Sequence, residues 1–178
     1  MADSDVFNAQ VVTPERVLVN GPATQVILRT ADGDITFLAG HTPLVGTVEP
    51  GVVRVVGEDS EEQRLAVHGG FVQVEQHVDD DADSESGRPS SSSSSGTRVT
   101  VLAGIAELAD EIDTERARVA REAAEAKVSE LASAGRSSGT AGSGEDEEVD
   151  AEVVEAEAAL RRAEVRLEAA GVTAATGS

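Results

Sequence analysis

The sequence predicts an all-β sandwich followed by an antiparallel two-helix hairpin, on three observations. Over the first hundred residues apolar and polar positions alternate: Phe7, Ala9 and Val11 with Asn8 and Gln10, Leu65 and Val67 with Arg64 and His68, Val99 and Val101 with Arg98 and Thr100. A period of two means strands with one buried face. Gly21-Pro22, Asp32-Gly33 and Pro50-Gly51 punctuate short strand-like runs at the close spacing of a sandwich. Near residue 104 the period changes. Val149, Val153, Ala156, Leu160, Ala163, Leu167 and Ala170 then step by four and three, which lays one thin apolar seam along a helix.

Strands are expected over residues 5–12, 16–19, 23–30, 33–38, 44–48, 51–57, 62–68, 70–78 and 98–103. The first helix opens at Asp113, a residue type suited to an N-cap, and runs to about residue 134 with Ala117, Ala120, Ala124, Val128 and Leu131 as its apolar stripe. The second runs from about 148 to 170 and stops at Gly171, a good residue just past a helix end. Small alanines let the two helices approach closely yet bury little, at about 25 cal/mol per Å². Residues 1–103 are thus expected to form a sandwich domain and residues 104–178 a helical one. Two low-complexity segments interrupt the pattern: residues 79–96, acidic and serine-rich, and residues 133–148, Gly/Ser-rich and then acidic. Neither carries enough apolar surface to offset the entropy of ordering, so both are expected as loops, the first as a swollen hairpin tip.

Composition excludes several function classes. The 178 residues suffice for one modest domain with an appendage, and the absence of cysteine removes disulfides and thiolate metal sites. No run of about 18 apolar residues occurs, and the opening MADSDVFNAQ lacks the basic and apolar regions of a signal peptide, so a soluble chain that stays where it is made is expected. With 34 acids against 14 bases and a net charge of −20, bare nucleic acid is a poor partner. A basic protein partner, or simple solubility in a salty cytoplasm, fits that charge. No GxSxG elbow, GxxxxGK[ST] loop or GxGxxG is present. His41, His68 and His77 would have to converge across a sandwich to hold a metal as in a cupin, and none sits in an HxH or HExxH pattern. An enzyme therefore has little support, and no catalytic residue or metal ligand is assigned.

Three segments stand out: G33-D-I-T-F-L-A-G-H-T-P-L-V-G-T-V-E-P-G51, H68-G-G-F-V-Q-V74 and V99-T-V-L-A-G-I-A-E-L-A-D-E-I-D113. In this order and spacing, with an alanine-rich helical pair behind them, the chain resembles the epsilon subunit of F-type ATP synthases. The resemblance covers both halves and fails only in the two low-complexity segments. It implies a ten-stranded sandwich beside the foot of the rotating gamma subunit, above the membrane c-ring, with the helices able to extend into the alpha/beta catalytic head and block ATP hydrolysis. Such a chain couples proton-driven rotation to ATP synthesis without catalysing it. It sits peripherally on the cytoplasmic side of the cell membrane, held only through the complex. Gly40, His41, Thr42, Pro43 and Leu44 are then the expected partner-contact loop, set against a simple Pro-stiffened strand connection.

The resemblance also implies regulatory ATP on the hairpin, with no cofactor otherwise required. Glu107, Ile112, Asp113, Arg116, Ala117, Arg162 and Arg166 match the nucleotide-contacting pattern of the ATP-binding members, whereas Ala123 stands where those have an arginine. Arg162 and Arg166 are four apart and share a helix face, which suits phosphate. They would otherwise pair with acids of the first helix. The competing reading for the whole chain is a free-standing β-sandwich protein-binding module with an oligomerising helical arm.

Overall fold

Alternation in the first hundred residues resolves into strands β1 (Val6–Val12), β2 (Val17–Ala23), β3 (Gln25–Thr30), β4 (Gly33–Phe37), β5 (Leu44–Val48), β6 (Gly51–Val56), β7 (Glu62–Val67), β8 (Gly70–Gln76), β9 (Ser94–Ala103) and β10 (Ala106–Leu108). The structure, a computed structural model, describes residues 6–76, 94–137 and 145–172. The strands form two five-stranded sheets, ordered β2-β1-β9-β8-β5 and β10-β7-β6-β3-β4. Among the described pairings only β1 with β9 is parallel. Phe7, Val11, Val26, Leu28, Phe37, Val53, Leu65, Val67, Val72, Val74, Val99 and Val101 are fully buried between the sheets. Each such side chain contributes roughly 1.5–3 kcal/mol of burial, so the period-two pattern is what holds the sandwich together.

The chain divides into two units, Met1–Ala109 and Asp110–Ser178. The first extends past the expected boundary at residue 103 because β10 pairs with β7, Ala106 opposite Val67 and Leu108 opposite Leu65. Three residues are too few for alternation to show, and these stand in an alanine-rich stretch. Gly21-Pro22, read from sequence as a turn, instead lies inside β2, with Pro22 opposite Asn8. That strand is the edge of its sheet, where a missing N–H is tolerated. β9 begins at Ser94, earlier than the expected residue 98. Residues 77–93, which hold most of the acidic, serine-rich segment and His77, lie outside the described residues.

Across β3 and β4, Arg29 Nε donates to Asp34 Oδ1 at 2.9 Å. That hydrogen bond, aided by the charges of Arg29 and Arg54 and opposed by desolvation, holds the Asp34 carboxyl below its usual value. A depressed folded-state pKa contributes stability above the ordinary carboxylate range, and the contribution is lost as pH falls through the lowered value. Both side chains are more than half exposed, so the effect is small and screened by salt. At low ionic strength the stability gap between the parent and Asp34→Asn is expected to shrink as pH drops from neutral to below about 4. A gap constant across that range would refute the pairing.

The second unit holds α1 (Thr114–Ser137) and α2 (Glu145–Ala169), after a 3-10 turn at Ala109–Glu111. Asp113 caps α1, accepting the Arg116 N–H on Oδ1 at 3.0 Å, a cap that contributes about 1 kcal/mol. At the other end Gly171 N–H donates to Glu168 O and Val172 N–H to Leu167 O, the paired bonds of a Schellman cap. Both helices reach into the segment 133–148 expected as a loop. Helix-forming alanine and the Glu-Asp-Glu-Glu run favour this, and Gly139, Gly142 and Gly144 all fall in 138–144, outside the described residues. Ala117, Ala124 and Leu131 are buried as expected, but Ala120 is exposed. A strict seven-residue step carries the seam, so Ala120 falls to one side. On α2, Ala156, Ala163 and Leu167 are buried, joined by Val165 and Ala169 off the expected seam.

Candidate functional site

Two surfaces of the sandwich and one end of the helical pair gather the residues of interest. The Gly40–Leu44 loop connects β4 to β5, edge strands of different sheets. The His41 ring stands edge-on to Phe37, centroids 4.9 Å apart, and its Nδ1 lies 2.8 Å from the Thr42 carbonyl. A carbonyl only accepts, so Nδ1 carries the proton in this contact. Thr42, Pro43 and Leu44 are exposed, and Leu38 just before the loop is 50% exposed.

An apolar row crosses the outer face of the sheet that contains β5. Its members are cross-strand neighbours: Val17 opposite Val12, Val12 opposite Leu102, and Leu102 opposite Phe71. Thr47 follows opposite Phe71, with Val45 two residues along the same face. Val17, Leu102, Phe71 and Val45 are 55%, 45%, 56% and 70% exposed. A groove of about 590 Å³ adjoins the row, lined by Pro14, His68, Gly69, Phe71, Leu102 and Gly104 among others. Sequence reasoning missed this row, although a signal existed. Val11-Val12, Leu44-Val45, Phe71-Val72 and Val101-Leu102 are adjacent apolar pairs, and adjacency puts apolar groups on both faces of a strand.

On the helices, Ile112 is buried, Asp113 caps α1, Arg116 is exposed and Ala117 is buried. Arg162 is exposed and Arg166 half-buried, one turn apart on α2. Lys127 Nζ lies 3.7 Å from Glu152 Oε2, which places these two residues beside each other across the antiparallel pair. Counting along both helices from that pair, 113 stands about level with 166 and 117 with 162. Six of the seven expected nucleotide-site residues therefore gather at one end of the hairpin. The seventh, Glu107, lies in β10 of the first unit, opposite Ala66. Arg118 pairs with Glu115 and Arg121 with Glu125, both at 2.8 Å within α1. Among the described residues Arg162 makes no ion pair, so the alternative of a pairing with acids of α1 is not seen at that residue. Among the described residues no group of three or more potential metal ligands forms, and no helix is long and apolar enough to cross a membrane.

Family models of the ATP synthase delta/epsilon chain match both units, the beta-sandwich domain over residues 6–78 and the long alpha-helix domain over residues 110–171. The ATP synthase epsilon chain of Symbiobacterium thermophilum is 36% identical over 172 residues, 96% of this chain and 95% of the relative. The chain belongs to the ATP synthase epsilon-chain family. The epsilon chain of Thermobifida fusca is 42% identical over 127 residues, 70% of this chain and 79% of its own length. In fold, the chain is similar to one in the Euglena gracilis mitochondrial ATP synthase, with a TM-score of 0.63 at 23% identity over 93% of this chain and 81% of that one. Membership of the epsilon family makes this a non-catalytic subunit of a membrane-bound complex and sets aside the free-standing module.

Proposed function

We propose that the chain couples the rotating shaft of the ATP synthase to its proton-driven ring and restrains ATP hydrolysis through its two helices. The observation that carries this reading is the apolar row Val17, Val12, Leu102 and Phe71, open on a chain of net charge −20 that otherwise favours water. A contiguous exposed apolar patch on a soluble domain marks a protein interface. The gamma subunit is the partner assigned to the row, and the c-ring the partner of the Gly40–Leu44 loop. The helices address the alpha/beta head, and the complex holds the chain peripherally at the cytoplasmic face of the cell membrane.

Co-purification tests it: the parent is expected to form a one-to-one complex with gamma. Phe71→Ala removes a half-exposed anchor, and an interface hot spot of about 2 kcal/mol corresponds to roughly 30-fold weaker binding. The melting temperature should stay near that of the parent. Undiminished affinity in Phe71→Ala would move the interface elsewhere, and failure of the parent to bind gamma would end the reading.

Regulatory ATP is proposed at the hairpin end that gathers Ile112, Asp113, Arg116, Ala117, Arg162 and Arg166. Arg162, exposed and without an ion pair among the described residues, is suited to phosphate. A charged hydrogen bond contributes about 1.5–3 kcal/mol, so Arg166→Ala and Arg162→Ala should each weaken labelled ATP at least tenfold. Asp113→Asn preserves the helix cap while removing the charge, which separates nucleotide contact from helix stability. No ATP binding by the parent would eliminate the site.

A further inference from the structure

We infer that Thr97 and Gln76 are positioning residues for the Gly40–Leu44 loop, holding its backbone in the shape its partner meets; this rests on the proposed role of that loop as a contact. Thr97 Oγ1 accepts the Gly40 N–H at 2.9 Å across 57 residues of sequence. Gln76 Nε2 donates to the Gly40 carbonyl at 3.0 Å and to the His41 carbonyl at 3.2 Å. Gln76 and Thr97 stand directly opposite each other on β8 and β9. Two facing side chains of one hairpin stem therefore grip both polar groups of the same glycine.

The choice of residue at 97 is informative. Thr97 shares the inward face of β9 with Val99, Val101 and Ala103 and is only 3% exposed. Valine has nearly the same shape and would fill that position without burying a hydroxyl, whose desolvation has to be offset by a hydrogen bond. One gain from threonine is the acceptor it gives Gly40. Gly40 in turn adopts φ +76°, open to glycine, where the chain turns from one sheet to the other. With its amide held from β9 and its carbonyl from β8, the loop moves with that stem, and load on the loop passes into the first sheet rather than into a hinge.

The test uses Thr97→Val, Thr97→Ser and Gln76→Leu, read two ways. Amide exchange of Gly40 and His41 is followed by NMR on the full chain, and proton pumping per ATP hydrolysed is measured in vesicles containing the complete synthase. Thr97→Val is expected to speed Gly40 exchange at least tenfold and lower the pumping ratio, and Thr97→Ser to restore both. Gln76 is exposed, so Gln76→Leu folds even if the buried variant does not, and it should loosen the same two amides. Unchanged exchange in both Thr97→Val and Gln76→Leu would overturn the positioning role. Faster exchange with an unaltered pumping ratio would instead refute the loop as a contact, and with it the purpose assigned to these residues.

Discussion

Gly70→Ala is expected to lower the melting temperature of the sandwich by on the order of 15 °C. An added Cβ would collide with the Leu102 carbonyl oxygen and stand 3.0 Å from Ala103 Cα, both backbone atoms, at a φ of +151°. Neither neighbour can yield cheaply, because β9 is bonded to β8 on one side and β1 on the other. Relief would part β8 from β9 where Gly70 faces Ala103, next to the buried Val72 and Val101. Backbone strain together with lost pairing amounts to about 3 kcal/mol or more. A domain of this size loses roughly 4–8 °C per kcal/mol. Gly104→Ala is the control, since its Cβ would meet nothing within 4 Å and should change stability by less than about 0.5 kcal/mol. Coincident melting curves for Gly70→Ala and the parent would show that the two strands do not approach so closely.

That glycine also shows what a sequence can and cannot display. In H68-G-G-F71 it reads as the first residue of a strand, which it is, but its constraint comes from β9, thirty-two residues further on. Periodicity is local, so it revealed the strands, the helical seam, the Asp113 cap and the Gly171 stop, each set by neighbours a few residues away. Properties that depend on which strands become neighbours were hidden. Pro22 reads as a turn until β2 is known to be an edge. The row from Val17 to Phe71 exists only once β2, β1, β9 and β8 stand side by side. The helical site lies between these cases: Arg162 and Arg166 were legible as a pair, but their level with Asp113 follows from the tertiary register at Lys127 and Glu152.

Ending the chain after Ala109 is expected to raise ATP hydrolysis by the assembled synthase severalfold if the helices act as the proposed brake. The cut suits the fold, because the buried cluster of the sandwich runs from Phe7 to Ala103, with Ala106 and Leu108 packed against it. A cut after Ala103 would also remove β10, strip Leu108 from that cluster and leave β7 with an unpaired edge. Comparing the two cuts separates loss of a brake from damage to the sandwich: the shorter chain should melt lower, while the chain ending at Ala109 keeps the stability of the sandwich. A brake of this kind works only where its two states differ by a few kcal/mol, so that a ligand with unequal affinity for them shifts the population. The alanines at 117, 124, 156 and 163 keep the buried seam small enough for such a balance. Replacing Ala124 with leucine in the full chain would perturb that seam and should shift hydrolysis, whereas the chain ending at Ala109 lacks the site altogether. Hydrolysis unaltered by the cut after Ala109 would remove the inhibitory role and leave the sandwich with coupling alone.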